Sequence, residues 1–438
     1  MMKILKNKEE IKKFILKLQM RVLEPPEDIL RAVRSIVEDV RKNGDRALLK
    51  YTKRFDGISL KTPLISEKRL KEAARNVEKD LLKALRIAED RIRRFHQRQK
   101  ERSWSYKDDG AVLGQLIRPL ERVGVYVPGG RAAYPSTVLM NVIPAQVAGV
   151  KEIAIVTPTP QGIINPYVSA AIDMLGVREV YSIGGAQAIA ALAFGTASIK
   201  KVDKIVGPGN IYVALAKKLV FGIVDIDMIA GPSEVLIIAD RFQRPDFIAA
   251  DLLSQAEHDE NASSVLITDS IKLAREVQAE IKKQLNLLKR KDIALKSIKR
   301  FGAIIVTKDL IEAASIANMI APEHLELMLE KPRSLLSHIR HAGAIFMGRW
   351  TPEPLGDYVA GPNHTLPTGG TARFSSPLGV YDFIKRSSLL EFTEKGFRKL
   401  APLVEIIAGV EGLEAHARTI KVRIGNASPQ RSSLEKGL

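Results

Sequence analysis

Residues 122–240 alternate short β-branched runs with Ala-rich amphipathic segments, and this alternation restricts the possible folds more than any other feature of the chain. Strands that alternate with helices pair in parallel, because each helix returns the chain across the sheet before the next strand begins. The stretch is therefore predicted to form a doubly wound parallel sheet. We place its strands at residues 153–156, 179–183, 204–206, 224–229 and 235–239.

A second α/β stretch covers residues 245–347. Pro245 and Asp246 are typical of the first turn of a helix, which we expect to continue to His258. Further strands are predicted at 265–268, 303–306, 325–328 and 344–347. The predicted fold class is α/β, with two Rossmann-like doubly wound parallel-sheet domains and small helical or extended segments at the N- and C-terminal ends.

The remaining segments differ from these two stretches. Residues 1–25 and 26–120 have apolar residues at helical spacing among mixed charges, so helices are predicted throughout both. Residues 351–379 contain five Pro and five Gly, and an irregular stretch of this length in a compact enzyme is usually functional or disordered. Asp357 and His364 lie within it, which favours a functional role.

The composition excludes several kinds of site. The chain has no cysteine, so disulfides, thiolate metal ligands and a thiol nucleophile are excluded, and any metal must be bound by His, Asp, Glu, Gln or water. The formal net charge is +18, which raises nucleic-acid binding as an alternative. Aromatic residues make up only 5% of the chain and do not interleave with the basic ones, which favours a solvated, ion-paired surface.

The N-terminal segment places Lys between apolar residues at helical spacing, which is more typical of a helix packed on its own protein than of a membrane-surface helix. The sequence contains neither a secretory signal pattern nor an apolar run of membrane-spanning length. We therefore predict a cytoplasmic protein that binds neither membrane nor nucleic acid.

Three predicted strand-to-helix junctions are rich in glycine: 127–130 (VPGG), 183–188 (IGGAQA) and 206–210 (VGPGN). Glycine lets the backbone turn sharply and approach a phosphate, and the helix that follows offers free N–H groups to an anion. None of the three matches the dinucleotide pattern GxGxxG, and glycine at such a turn often serves geometry alone. A nucleotide cleft at one sheet edge and simple turn geometry both remain open, with Gln187 and Asn210 placed to donate to a cofactor.

Because cysteine is absent, the seven histidines decide whether a metal site can form. Three lie in segments rich in Lys and Arg and are predicted to be exposed surface residues: His96, His338 and His341. His258 follows Gln255 by three residues, so the two side chains project from one helix face and could chelate one ion. A surface Q-x-x-H without metal is the alternative.

The other three histidines each have an acidic residue nearby in the sequence. The pairs are Glu323–His324, Asp357–His364 and Glu411–His416. Glu323 and His324 are adjacent, so they point in different directions and suit two separate tasks better than one shared proton. Together with Gln255 and His258, these residues supply the hard N and O donors that suit Zn²⁺ or Mn²⁺.

Several long motifs make the chain resemble the histidinol dehydrogenase family over essentially its whole length. They are RVGVYVPGG (122–130), SIGGAQAIAALAFGT (182–196), VGPGN (206–210), AGPSEVLIIAD (230–240), LLSQAEHDE (252–260), APEHLE (321–326), the GDY…GPNHTLPT loop (356–368) and EGLEAH (411–416). The resemblance implies two successive NAD⁺-dependent oxidations of L-histidinol to L-histidine, with Zn²⁺ beside the substrate. It also implies a homodimer in which tail residues of each subunit complete the active site of the other.

The resemblance further implies a role for each matching residue. The implied metal ligands are Gln255, His258, Asp357 and His416. The implied acid/base pair is Glu323 and His324. The implied substrate contacts are Ser233, His364 and Glu411, together with the ligands and the acid/base pair, and the implied cofactor contacts are Tyr126, Gln187 and Asn210. Glu411 and His416 would act from the partner subunit.

The same resemblance divides the chain into functional parts. Residues 26–121 with 241–376 would form the catalytic domain, 122–240 the NAD-binding domain, and 377–438 a dimerisation tail after the N-terminal segment 1–25. In the implied mechanism, the metal orients the substrate and His324, with a pKa near its ordinary value of about 6.5, removes the alcohol proton. Glu323 then activates the water that hydrates the aldehyde, because a chain without cysteine cannot form a thiohemiacetal.

Three other functions compete with this hypothesis. A sister dehydrogenase of the same fold could act on another small alcohol, and only the substrate-side residues, His364 and Glu411, favour an imidazole-bearing cation. A zinc hydrolase would need only the metal, Glu and His. A basic binding protein without chemistry would retain nucleic acid with a steep salt dependence.

Overall fold

The computed structural model describes residues 2–23, 26–129 and 133–425. These residues form two compact units. The larger unit comprises the described parts of Met1–Lys100 and Pro119–Phe383, and the smaller unit those of Glu101–Arg118 and Ile384–Leu438. Each unit has its own sheet structure and is treated separately below.

The helices and strands are numbered in chain order. The N-terminal third contains β1 (Lys3–Leu5), α1 (Lys8–Leu23), α2 (Glu27–Asp56), α3 (Glu67–Ala74), α4 (Lys79–Gln97), β2 (Trp104–Asp108), β3 (Ala111–Pro119), β4 (Arg122–Tyr126) and α5 (Pro135–Ala148). Then follow β5 (Glu152–Thr157), α6 (Pro166–Met174), β6 (Glu179–Ser182), α7 (Gly185–Phe194), β7 (Lys204–Val206), α8 (Ile211–Val220), β8 (Asp225–Ile226), β9 (Glu234–Ala239) and α9 (Pro245–Ala256). The remainder contains β10 (Ser263–Thr268), α10 (Ile271–Leu285), α11 (Lys291–Phe301), β11 (Gly302–Val306), α12 (Leu310–Ile320), β12 (His324–Met328), α13 (Arg333–Leu336), β13 (Ala344–Met347), α14 (Glu353–Leu355), β14 (Ile384–Phe392), α15 (Glu394–Val410) and α16 (Glu414–Gly425).

The first sheet of the larger unit has the order β6-β5-β4-β7-β8, and every pairing in it is parallel. Counted from β4, this is the doubly wound order 3-2-1-4-5, which confirms the predicted fold class for this stretch. Both faces are buried, as parallel sheets require. In β4, Val123 and Val125 join the core that contains α5, whereas Tyr126 joins the core that contains α7.

The second sheet has the order β1-β11-β10-β9-β12-β13 and is also parallel throughout. Counted from β9, its last five strands repeat the order 3-2-1-4-5, so the second doubly wound sheet is confirmed as well. Helices α1 and α12 contribute to the core on one face, and α9, α10 and α11 to the core on the other.

Two sequence predictions about this sheet are wrong. The strand predicted at 235–239 as the last of the first stretch is β9, which pairs with β10 and β12 instead. Residues 1–25 were predicted to be helical, which α1 confirms for Lys8–Leu23, but Lys3–Leu5 pairs with β11 at the sheet edge. The local pattern of apolar residues predicts that a segment forms a strand. Which strand it pairs with depends on packing against residues that are distant in the sequence.

In the smaller unit, β2, β3 and β14 form a three-stranded sheet, with β2 and β3 antiparallel. The prediction of helices throughout 26–120 is therefore wrong from Trp104 onward. Asp109 and Gly110 have φ values of 43° and 85° and connect the paired residues Asp108 and Ala111. An Asp-Gly turn between strands is a strong hairpin signal, and it was available in the sequence.

Two further boundaries differ from the predictions. Helix α9 ends at Ala256 rather than continuing to His258. The stretch 351–379 contains short helical turns, among them α14 and a π-helical turn over Gly356–Ala360. In the described part of the chain, every helix is too short or too polar to cross a membrane.

Candidate active site

Two neighbouring strands of the second sheet begin with acidic residues and a histidine. Glu234 opens β9, and Glu323 directly precedes His324 at the start of β12. Because β9 and β12 pair in parallel, with His324 opposite Val235, these residues meet at the amino edge of the sheet. Doubly wound sheets commonly bind ligands at the carboxyl edge, so this site lies at the opposite end.

His324 is buried, with 3% of its surface exposed. Its Nδ1–H donates to the backbone oxygen of Glu234 over 2.8 Å, which leaves Nε2 for chemistry. Nε2 lies 3.6 Å from Asp357 Oδ1 and 4.0 Å from Glu353 Oε1. Burial alone would lower the pKa of His324, but the carboxylates of Glu323, Asp357 and Glu353 together raise it to about 10. The pKa of His324 in this arrangement of carboxylates is therefore higher than the value near 6.5 expected from the sequence.

Glu323 and Glu234 bind each other reciprocally. Glu323 Oε2 accepts the backbone N–H of Glu234 over 2.8 Å, and Glu234 Oε2 accepts the backbone N–H of Glu323 over 3.4 Å. Both residues are buried. Burial raises the pKa of Glu323 to about 8, although the charge of His324 opposes the rise. Glu323 can therefore exchange a proton near neutral pH, as a general acid or base must.

Asp357 lies in the π-helical turn, a feature that occurs frequently at functional sites. Burial alone would raise its pKa, but the hydrogen bond and charge of His324 outweigh burial and lower the pKa of Asp357 to about 2. His364 Nδ1–H donates to the backbone oxygen of Asp357 over 3.1 Å. The long loop thus brings one carboxylate and one imidazole to the edge occupied by His324.

Gln255 and His258 reach the same site from the end of α9. This helix connects β9 to β10, so it ends near the amino edge of the sheet, where β10 begins. Gln255 Nε2 and His258 Nδ1 are 3.3 Å apart. His258 is exposed, yet partial desolvation of its ring lowers its pKa, while the nearby Asp357 carboxylate acts in the opposite direction. Gln255 is fully buried and its Oε1 has no hydrogen-bond partner.

The donor atoms of this edge fit a divalent cation. A buried amide oxygen without a partner, an imidazole and a carboxylate held ionised are the hard O and N donors that Zn²⁺ accepts. A second candidate set shares Asp357: ligand atoms of His324, Glu353 and Asp357 all lie within 4.8 Å of one another. Sequence reasoning missed Glu353, although it stands four residues before Asp357. Burial, chiefly, raises the pKa of Glu353 to about 8.

The three glycine-rich turns follow β4, β6 and β7, which are parallel members of the first sheet and therefore end at one edge. Of the first turn, Gly130 lies outside the described residues. Gly207 in the third turn has φ +110°, and a Cβ there would stand 2.1 Å from the backbone oxygen of Tyr126. Only glycine allows the chain after β7 to pass β4 this closely.

The predicted cofactor residues all lie at this edge. The Tyr126 hydroxyl accepts the N–H of Gly185 over 3.1 Å, and burial raises its pKa to about 12. Asn210 Oδ1 caps α8 by accepting the N–H of Tyr212 and Val213, which leaves its amide N–H groups for a ligand. Gln187 is 1% exposed, and its Oε1 is buried without a partner.

His96 was predicted to be exposed, and this prediction is wrong, because the residue is fully buried. Its Nδ1–H donates to Gln99 Oε1 over 2.7 Å. Leu85, Ala88, Ile92 and His96 form one buried stripe of α4, so the helical spacing of these residues was the signal that could have revealed it. His338 is exposed and His341 is half-buried.

Glu411 and His416 belong to the smaller unit, where both are exposed. Glu411 follows α15, and His416 lies on α16. Ser233 is half-buried and directly precedes Glu234. The structure thus groups Gln255, His258, Glu323, His324, Asp357 and His364 within the larger unit, and the roles of Glu411 and His416 stay predictions.

Comparison with known proteins places the chain in a family. A sequence profile of the family Histidinol dehydrogenase matches residues 20–424. Histidinol dehydrogenase of Aquifex aeolicus is 58% identical over 400 residues, which cover 91% of this chain and 93% of that protein. The Bacillus subtilis histidinol dehydrogenase is 54% identical over 399 residues, covering 91% and 93%. The crystal structure of histidinol dehydrogenase from Elizabethkingia anophelis superposes with a TM-score of 0.92 at 38% identity, covering 97% of this chain and 98% of that one. The chain therefore belongs to the histidinol dehydrogenase family of oxidoreductases.

Proposed function

We propose that the chain oxidises L-histidinol to L-histidine in two successive NAD⁺-dependent steps, with one Zn²⁺ per subunit. The observation that carries the proposal is the meeting of Glu323 and His324 with Asp357, Gln255 and His258 at one sheet edge in a member of this family. Family membership favours an oxidoreductase over the hydrolase considered from the sequence. The cytoplasmic location stays a prediction.

The proposed metal ligands are Gln255, His258, Asp357 and the partner subunit's His416. When bound, the cation would orient the amino alcohol and neutralise part of the negative charge beside His324. The buried, unpartnered Oε1 of Gln255 supports this set. It is preferred over the set with His324 and Glu353, because ligation through Nε2 would consume the atom of His324 that the oxidation needs.

His324 would act as the base in both oxidations. With Nδ1 held by the backbone of Glu234, Nε2 would accept the hydroxyl proton while the substrate carbon gives its hydride to the nicotinamide. The C–H bond breaks, the C=O bond forms, and the two electrons leave with the hydride. The acidic residues around the ring stabilise the imidazolium that results. His324 can be the base at neutral pH only when a cation bound at Asp357 reduces this stabilisation.

Glu323 would serve the intervening hydration. Its carboxylate would take a proton from water as the oxygen attacks the aldehyde carbon, and the His324 imidazolium formed in the first oxidation would give its proton to the carbonyl oxygen, which completes the gem-diol. His324 would then deprotonate the gem-diol as the second hydride leaves. The pKa of Glu323, raised to about 8 by burial, suits a group that must both accept and release this proton near neutral pH.

The proposed NAD⁺ site is the carboxyl edge of the first sheet, with Tyr126, Gln187 and Asn210 as its contacts. The three glycine-rich turns at that edge support it, because they leave room for a phosphate beside the helix N-termini. The buried, unpartnered Oε1 of Gln187 is consistent with a ligand that completes its hydrogen bonds. Substrate contacts are proposed for Ser233, His364 and the partner's Glu411.

The proposed homodimer is supported by an apolar stripe on α15 in the smaller unit. Its members, each at least half exposed, are Leu403, Ile406, Ile407 and Val410. A stripe at helical spacing that is this exposed usually marks a protein interface. Glu411 follows Val410 directly and His416 lies on the next helix, so a second subunit that covers the stripe would keep both residues close to the interface.

The direct test mixes the purified protein with L-histidinol and NAD⁺ and counts NADH formed per histidinol consumed. The full oxidation produces two NADH, with L-histidine as the product. Turnover of another small alcohol without histidinol oxidation would assign the chain to a sister activity. Full activity in a chelator, with no metal found by elemental analysis, would contradict the metal part of the proposal.

A further inference from the structure

A buried arginine on the N-terminal helix reaches the residue that binds the acid/base pair. Arg21 lies near the end of α1, and its side chain is only 3% exposed. Its Nη2 forms an ion pair with Glu234 Oε1, and its Nη1–H donates to the backbone oxygen of Asn261 over 2.6 Å. The helix itself packs on the second sheet through Ile11, Ile15 and Leu18.

Glu234 contacts both members of the pair through three separate groups. Its backbone N–H donates to Glu323 Oε2, its Oε2 accepts the N–H of Glu323, and its backbone oxygen accepts the Nδ1–H of His324. The side-chain contact with Glu323 requires a Glu234 carboxyl group that is turned toward β12. Arg21 holds the other carboxylate oxygen and fixes that orientation.

Stability alone does not explain this arrangement. Moving two charges from water into a protein interior costs several kcal/mol per ion, and apolar residues in their place are often as stable or more so. Glu234 and Glu323 are neighbouring buried carboxylates, so without a cation they would repel each other, and one would move or take up a proton. In the described residues, Arg21 is the cation that forms an ion pair with the Glu234 side chain, whereas His324 lies beside Glu323.

We propose that Arg21 and Glu234 are positioning residues for the oxidation: their buried ion pair holds Glu323 and His324 in the geometry that activates water and accepts the substrate proton. The proposal rests on the catalytic roles proposed for Glu323 and His324. It assigns to the N-terminal helix α1 a part in catalysis, although none of the proposed substrate contacts lies on α1.

The test compares Arg21→Met and Arg21→Lys with a matched control on the same helix. Lys17 also places its cation over the Phe301 ring, at 5.1 Å against 5.3 Å for Arg21, and donates to the backbone oxygen of Arg300. Lys17→Met therefore removes a charge and the same stacking contact without touching Glu234. For each variant, kcat and KM are measured with histidinol and with histidinal, alongside melting temperature and bound metal.

Arg21→Met is expected to lower kcat for histidinal oxidation on the order of 100-fold, the cost of a misplacement of about 1 Å. KM for histidinol and the metal content should stay near wild type, because the metal ligands are untouched. Arg21→Lys, which keeps the charge but cannot make both contacts, should recover part of the rate. Equal kcat values in Arg21→Met and Lys17→Met would overturn the proposal.

Glu234→Asp covers the case in which Arg21→Met does not fold. It keeps the charge paired but shortens the side chain by one methylene, so Glu323 should be displaced while the protein stays folded. Wild-type rates for both substrates in Glu234→Asp would overturn the proposal. Glu323→Gln and His324→Ala are measured in parallel. Normal rates in those two would refute the proposed catalytic roles, whereas slow rates there and a normal Glu234→Asp would refute the positioning alone.

Discussion

Lys217 and Asp227 form a buried ion pair that holds Gly207 through both its backbone N–H and its backbone oxygen. Lys217 Nζ donates to the backbone oxygen of Gly207 over 2.9 Å, and Asp227 Oδ2 accepts the N–H of Gly207 over 2.8 Å. The two side chains are 2% and 1% exposed. This pair fixes the third glycine-rich turn, where the chain leaves β7 beside Tyr126.

Lys217→Met should destabilise the protein by about 3–5 kcal/mol, because it leaves Asp227 charged and buried without its partner. The freed turn at Gly207 should also weaken NAD⁺ binding. Urea unfolding and a titration of cofactor fluorescence measure the two effects. Lys218→Met, which removes the exposed neighbouring cation, should change neither; equal stability and NAD⁺ affinity in the two variants would contradict this role for the pair.

Acid should destabilise the protein through His96. Burial lowers the pKa of His96 below its ordinary value of 6.5, so the unfolded chain binds a proton at a pH where the folded protein does not. The stability is therefore fully present above about 6.5 and falls as the pH drops below that value. Urea unfolding of the wild type at pH 7.5 and pH 5.5 measures the loss.

His96→Gln should make the free energy of unfolding less dependent on pH over the same interval, because the titrating group is gone. Its absolute stability is expected to be lower, since Gln fills the buried site less well. His338→Gln is the control, because His338 is exposed. The same pH slope in His96→Gln and in the wild type would show that other groups cause the acid sensitivity.

Glu323→Gln and His324→Ala should affect different steps. His324→Ala removes the proposed base, so the rates of both half-reactions should fall by roughly 10²–10⁴-fold. Glu323→Gln should damage histidinal oxidation much more than histidinol oxidation, because only the aldehyde has to be hydrated. Single-turnover absorbance of NADH with each substrate separates the steps. An unchanged rate of histidinol oxidation in His324→Ala would rule out its proposed role.

Metal analysis can distinguish the two candidate ligand sets. If Gln255, His258 and Asp357 bind the cation, Gln255→Leu should lose metal while Glu353→Gln retains it. If the set with His324 and Glu353 is correct, the order is reversed. Elemental analysis after dialysis gives the metal per subunit independently of activity. If Gln255→Leu and Glu353→Gln both retain the metal and only Asp357→Asn loses it, neither candidate ligand set is correct.

Complementation can test whether the tail acts in the partner's site. His416→Ala and Glu323→Gln homodimers should each have low activity. If the two are mixed and allowed to exchange subunits, half of the dimers are mixed, and each has one site with both native residues. About a quarter of wild-type activity should return. Recovery should disappear when Ile406→Lys is added to both chains, because that change places a charge on the apolar stripe.

Much of the fold follows from local pattern. The alternation of β-branched and Ala-rich segments predicted both doubly wound sheets, since hydrophobic period and turn residues act over a few positions. The same pattern could not assign the strand at 234–239 to its sheet. Which neighbours bury a strand depends on residues far away in the sequence, and in this chain β9 joins β10 and β12.

The sequence predicted many of the residues of the candidate site, but not the charged side chains that surround them. The motifs identified His324 and Asp357, but not the carboxylate of Glu353 nor the arginine that reaches Glu234 from α1. Arg21 is one of 68 basic residues, and nothing in its local sequence separates it from the exposed ones. Its function becomes visible only when the contact with Glu234 is known.

The sequence by itself determined the α/β class, the exclusion of thiol chemistry and the family to which the motifs point, because each depends on residue identity and short-range order. Only the tertiary structure decided the partner of β9, the contact of Arg21 with Glu234 and the approach of Glu353 and Asp357 to His324. Those properties arise from contacts between residues separated by tens to hundreds of positions, where the chain's local preferences carry no information.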